Sequence, residues 1–160
     1  MVSVYLICVG KLKEKFYLDA CQEYLKRLKG YCKLTLVEIP EAKLPQSPSL
    51  GEIAAALDKE GEAIRAKLPT GGTLVALCVE GQEKSSPELA DFVQAFQNSG
   101  GKHLVFLIGG SYGLHPSIKA EAKLRLSMSP MTFPHHLARV MVLEQIYRAF
   151  KINEGSSYHK

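Results

Sequence analysis

The segment Leu107 to His115, LIGGSYGLH, carries an apolar run straight into Gly109, Gly110 and Gly113. Glycines after a buried strand let a ligand approach the backbone closely, and they equally well make a tight turn. The spacing is GGxxG. It is neither the GxGxxG of dinucleotide folds nor the GxxxxGK[ST] of phosphate loops. A dinucleotide site would place an acidic ribose partner about 20 residues further on, and only Glu121 stands in that window. A second segment, Leu126 to Val140, reads LSMSPMTFPHHLARV. Met128, Met131 and Phe133 could line an apolar slot. The backbone between Ser129, Pro130 and Thr132 could hydrogen-bond the edge of an adenine, the mixed wall that small-molecule sites use. The bland alternative is a helix-starting loop with a hydrophobic staple. The third candidate is the end of the sequence, Tyr158-His159-Lys160, where a ring, an imidazole and a cation follow one another. Ends usually fray, but these groups could stack on a base or relay a proton.

These residues need elements to hold them. Val2–Val9, Thr73–Val79 and His103–Ile108 are apolar without alternation, which predicts strands buried on both faces of a parallel sheet. Lys33–Ile39 and Leu124–Met128 predict two further strands, and Gly81 is expected to end the third. Helical spacing of apolar residues covers Phe16–Leu28 and Leu50–Leu68. A third helix runs from a Ser86 cap to about Gln97, a short one follows Pro116, and a long one runs from Phe133 or Pro134 to about Asn153. Alternating strands and helices give an α/β architecture, with one domain spanning 1–160. In the last helix Leu137, Val140, Leu143, Tyr147 and Phe150 form one apolar stripe, and Ala138, Val142, Ile146 and Ala149 a second. Two stripes mean burial on two sides, which predicts one side on the sheet and one on a partner subunit, a homodimer through the 135–153 helix; the competing reading is a central core helix in a monomer. Glu144 and Gln145 among them would need partners.

The composition, 46% hydrophobic and 22% charged, is that of a folded domain. No run is long enough to span a membrane, and the four scattered cysteines suit a reducing cytoplasm better than disulfides or zinc. The net charge of +4 is unevenly spread. Residues 1–33 hold seven Lys/Arg against three acids, and residues 119–160 hold the same numbers. Residues 34–118 hold six against ten. Ends brought to one side would make a face for a polyanion, whereas ordinary scatter would not.

The stretches VGKLKEKF, LDKEGEAI, FLIGGSYGLH, LSMSPMTFPHHLARVMVLEQIYRAFKI and YHK together resemble the RlmH family, also called YbeA, over the whole chain. The resemblance implies a SPOUT fold: a mostly parallel sheet flanked by helices, with a deep trefoil knot in its C-terminal third. It implies a homodimer that uses S-adenosyl-L-methionine to methylate N3 of a pseudouridine in helix 69 of 23S ribosomal RNA, within the 70S ribosome. Metal and membrane have no part in it. Carried onto this sequence, the cofactor pocket comprises Leu77, Gly109, Gly110, Met128, Ser129, Pro130, Met131, Thr132 and Phe133. His135, Tyr158 and His159 are the candidates for proton transfer and for placing the target base. Arg139 and the lysines of the 11–15 loop are expected to hold phosphates. Two other classes stay open on the residues alone. One is a non-enzymatic ribosome-binding factor, and the other is a nucleotide-dependent oxidoreductase, which the missing fingerprint disfavours.

Overall fold

A computed structural model describes residues 1–160. Ten elements alternate along the chain. They are β1 (Val2–Val9), α1 (Lys15–Leu28), β2 (Cys32–Ile39), α2 (Leu50–Lys67), β3 (Thr73–Glu83), α3 (Ser86–Asn98), β4 (His103–Ile108), α4 (Pro116–Glu121), β5 (Leu124–Ser127) and α5 (His135–Asn153). The strands form one sheet in the order β2-β1-β4-β3-β5, and every pairing is parallel. Parallel neighbours need crossovers, and the helices supply them on both faces.

The unbroken apolar runs of β1 and β4 follow from this layering. Val4, Leu6, Leu104 and Phe106 point into a core shared with α1, α3 and α5. Ile7, Val9, Val105 and Leu107 point into a second core against Ile64 of α2 and Ile118 of α4. Because both faces are dry, successive side chains are all apolar and no alternation remains.

Helix starts are set by side chains that satisfy the first free N–H groups. Ser49 and Glu52 form a capping box on α2, and Ser85 and Glu88 form one on α3. The α3 cap is therefore Ser85 and not Ser86. Ser86 Oγ instead donates to Gln145 Oε1 at 2.7 Å, which gives Gln145 its partner. Glu144 finds Arg148 one turn on, at 2.7 Å.

Helix α5 packs between α1 and α3 of its own chain. Val142, Leu143, Ile146, Ala149 and Phe150 are buried there, while Leu137, Val140 and Tyr147 are half-buried. The second stripe is thus largely covered within the chain, whereas the first keeps Leu137, Val140 and Tyr147 partly exposed. Gly81 does not end β3: the strand runs on to Glu83 past an irregularity described below.

Candidate functional site

The carboxyl ends of β3, β4 and β5 open into a cleft of about 620 Å³. Ligands of open parallel sheets bind at this edge, because loops from successive strands converge there above a rigid floor. Leu77, Ile108 and Leu126 form an apolar base, the turn after β4 forms one wall, and the segment after β5 forms the other.

The β4 turn is held from two directions. Gly110 and Gly113 face each other in an isolated antiparallel bridge, with Gly113 N–H donating to the Gly110 carbonyl at 3.0 Å. Gly113 has φ +79°, which favours glycine. From the β2–α2 connection, Glu41 Oε1 accepts from Ser111 N–H at 3.1 Å and from Ser111 Oγ at 2.9 Å. Burial alone would raise the Glu41 carboxyl, but the Ser111 donors and the nearby histidines hold it below its ordinary range. A Cβ on Gly109 would lie 2.3 Å from the Gly113 carbonyl carbon, and one on Gly110 would lie 2.8 Å from Glu41 Oε1. The turn's own closure therefore already demands glycine at 109, whereas at 110 the Glu41 side chain would have to move aside. Tyr112, at the tip, is half exposed and also borders the cleft.

In the opposite wall, Ser127 Oγ donates to the Ser129 carbonyl at 3.1 Å, and Ser129 Oγ accepts from Met131 N–H at 3.0 Å. These bonds set the segment without secondary structure. Met128, Ser129, Met131, Thr132 and Phe133 line the cleft beside Leu77, Gly109 and Gly110. Pro130 is exposed and does not line it. His135, the first residue of α5, also lines the cleft. Burial, then the neighbouring His136, push its pKa below the ordinary 6.5, so the imidazole is neutral at neutral pH.

The remaining candidates lie elsewhere. The Arg139 side chain is 1% exposed. Its Nη1 is paired to Glu38 Oε2 at 2.7 Å, and its Nη2 donates to the Gly10 carbonyl at 3.1 Å. The expectation that Arg139 grips phosphates is corrected: a guanidinium without solvent access, spent on Glu38 and the end of β1, has nothing to offer an RNA backbone. It ties α5 to the β1–β2 edge. Tyr158 and His159 do not border the cleft of their own chain. They dock on α5, with the Tyr158 ring edge-on to Tyr147 at 5.1 Å and Arg148 lying over it at 4.7 Å. Arg148 Nη1 lies 3.0 Å from His159 Nδ1, which takes the acceptor role in that contact.

The cleft also holds residues the sequence did not single out. Glu80 and Lys119 both line it, and Lys119 Nζ donates to Glu80 Oε1 at 2.7 Å. That hydrogen bond holds the Glu80 carboxyl below its ordinary range. Glu121, the acid in the ribose window downstream of the glycines, instead chelates Arg65 through both oxygens and stays outside the cleft. A search forward from the glycine turn could not find Glu80, because it comes from β3, upstream in the chain. Glu-Gly after an apolar run was the visible signal, and it reads as an ordinary strand end. Cys8 and Cys32 have their thiols pushed up to about 12 by burial, which leaves them protonated packing groups. No group of three or more His, Cys, Asp or Glu side chains is disposed to hold a metal ion. No helix is long and apolar enough to cross a membrane.

The family model described as predicted SPOUT methyltransferase matches residues 2–159. The chain is 44% identical over 159 residues to the ribosomal RNA large subunit methyltransferase H of Clostridium acetobutylicum, covering 99% of this chain and 100% of that one. It is 45% identical to the protein of the same name in Bifidobacterium animalis subsp. lactis and 46% identical to that in Bifidobacterium adolescentis, with the same coverage. Among solved structures, one described as a probable methylase family protein from Haemophilus influenzae superposes with a TM-score of 0.53 at 13% identity. That match covers 99% of this chain and 70% of the other, and at this identity it speaks for the fold alone.

Proposed function

Since the chain belongs to the SPOUT methyltransferases, and within them to the ribosomal RNA large subunit methyltransferase H family, we propose that it methylates 23S ribosomal RNA with S-adenosylmethionine bound in the cleft above β3, β4 and β5. The observation that carries this reading is the meeting of the glycine turn and the 128–133 segment around one apolar-based cavity of nucleoside size. The acceptor is N3 of a pseudouridine in helix 69, and the domain is the whole of 1–160.

The residues present suit such a cofactor. Leu77, Ile108, Leu126 and Met128 offer apolar faces to an adenine, and the backbone of 128–133 offers hydrogen-bonding groups to its edge. When bound, the cofactor supplies an electrophilic methyl group on a sulfonium. The protein's part is alignment and proton removal. The hydrogen-bonded turn and the pinned opposite wall would hold the donor, and the site would have to present the acceptor nitrogen in line with its methyl group. His135, neutral and at the lip of the cleft, accepts the N3 proton. Lys11 and Lys13, whose side chains enter no ion pair, hold phosphates near the end of β1. Tyr158 and His159 act in the cleft of a partner copy in a homodimer, since in their own chain they dock far along α5 from His135. Phe16, 67% exposed and tilted against the Tyr17 ring beside the start of α5, suits burial against that second copy. The C-terminal third, in which α5 returns from edge strand β5 to lie between α1 and α3, is read as the trefoil knot.

The test is methyl transfer from labelled S-adenosylmethionine to 70S ribosomes lacking the modification, followed by mass spectrometry of helix 69 fragments. One methyl on the pseudouridine, blocked by S-adenosylhomocysteine, is the expected result. Ribosome binding without cofactor binding or transfer would establish the assembly-factor alternative instead.

A further inference from the structure

Strand β3 does not pair evenly with β5. Leu77 and Gln82 both stand opposite Leu126, so Cys78 to Gly81 loop out between them. The loop-out closes only because residue 81 is glycine: a Cβ there would lie 2.7 Å from the Arg125 carbonyl oxygen. Bulges that interrupt a ladder beside a site re-aim a side chain, and the side chain re-aimed here is Glu80. It is the only carboxylate that borders the cleft. Its Oε1 accepts from Lys119 Nζ at 2.7 Å, and no hydrogen bond is made to Oε2 from elsewhere in the chain. The carboxylate is 62% exposed, so an ion pair in this position adds little to stability. The arrangement makes better sense as a prepared acceptor: ionised, oriented by Lys119, and with an oxygen left open.

We propose that Glu80 binds the ribose hydroxyls of a nucleoside ligand in the cleft, with Lys119 as its positioning residue. The inference rests on the reading of the cleft as a nucleoside site. A ribose presents two adjacent O–H donors. An ionised carboxylate is acceptor-only and has room for both alongside the lysine. Hydrogen bonds to a charged acceptor are the strong kind, and a missing hydroxyl leaves that acceptor poorly served. The cleft therefore discriminates a ribonucleoside from its deoxy counterpart through Glu80.

The experiment is calorimetric titration of the full-length protein with two probes, S-adenosylhomocysteine and its 2′-deoxy analogue. The wild type is expected to prefer the ribose form by about tenfold, the scale of one such hydrogen bond. In Glu80→Gln and Glu80→Ala the preference falls to about twofold or less, with circular dichroism and thermal melts unchanged. Lys119→Met weakens the preference and Lys119→Arg restores it. A Glu80→Ala protein that keeps the wild-type preference overturns the proposal, as does a wild type that binds both probes equally. A wild type that binds neither probe overturns instead the reading of the cleft on which the proposal rests.

Discussion

Gly109 shows how a residue in the right place can be there for a reason other than the obvious one. Its missing side chain leaves room for the Gly113 backbone before any ligand arrives. Gly109→Ala should therefore cost about 1–3 kcal/mol of stability through overpacking, measured by urea denaturation without ligand. A fully stable variant with weakened S-adenosylhomocysteine binding would return the glycine to the ligand. Arg139 and Glu38 make a second case. Burial would raise the Glu38 carboxyl, but the Arg139 guanidinium and the Leu12 N–H hold it below its ordinary value of 4.5. A depressed carboxylate contributes stability that is present above its ordinary value and lost as pH falls through the folded one. Glu38→Gln should accordingly flatten the acid limb of the stability–pH curve below about pH 4.5. It should also cost about 3 kcal/mol at neutral pH, because Arg139 is left buried without a counter-charge. His135 has the opposite charge change. Its folded pKa is depressed, so the unfolded chain takes the proton first and stability declines as pH falls below 6.5. His135→Gln should remove that slope. Methyl transfer by the wild type should persist below pH 6.5, where an unperturbed imidazole would already be charged. The glycine turn and the 128–133 segment were legible in the sequence because each is contiguous. Glu41, which braces the turn, and Glu80, which borders the cleft, were not, because they come from elements far from these segments in sequence. Arg139 was misread because residue type announces charge and says nothing of burial.

At the scale of elements, strands of pure apolar residues declared themselves, and β1 and β4 begin and end where the sequence places them. The far end of β3 did not, because a glycine that permits a bulge looks the same as a glycine that stops a strand. Helix α5 is the subtler case. Its two apolar stripes were visible, but their distribution between neighbours depends on α1 and α3, which periodicity within α5 cannot report. The segment after α5 is anchored rather than loose, through Tyr158 on Tyr147 and Arg148. Deleting residues 157–160 should lower stability by only about 1 kcal/mol, the worth of an aromatic pair. S-adenosylhomocysteine binding should fall modestly at most, while methyl transfer to 70S ribosomes drops strongly. Wild-type turnover by the truncated protein would confine Tyr158 and His159 to a packing role.

At the scale of the molecule, the basic ends of the sequence are brought together, since α1 and α5 pack side by side. Several of those charges are already matched within the chain, however, as in Arg27–Glu23, Arg148–Glu144 and Lys151–Glu154. Affinity for RNA should consequently rest on few phosphate contacts and show a shallow salt dependence. Sedimentation at micromolar concentration should give twice the chain mass of 17.6 kDa. A lone 17.6 kDa species would leave Tyr158 and His159 without a cleft to complete. The order of the elements has a last consequence, which concerns fragments of the chain. Strand β5, the 128–133 wall, His135 and the helix that fills the groove between α1 and α3 all belong to the final part of the chain. Residues 1–123 by themselves therefore hold neither the second wall of the cleft nor the helix that covers the α1 and α3 side of the core. A fragment ending before β5 should accordingly bind no S-adenosylhomocysteine in a calorimetric titration.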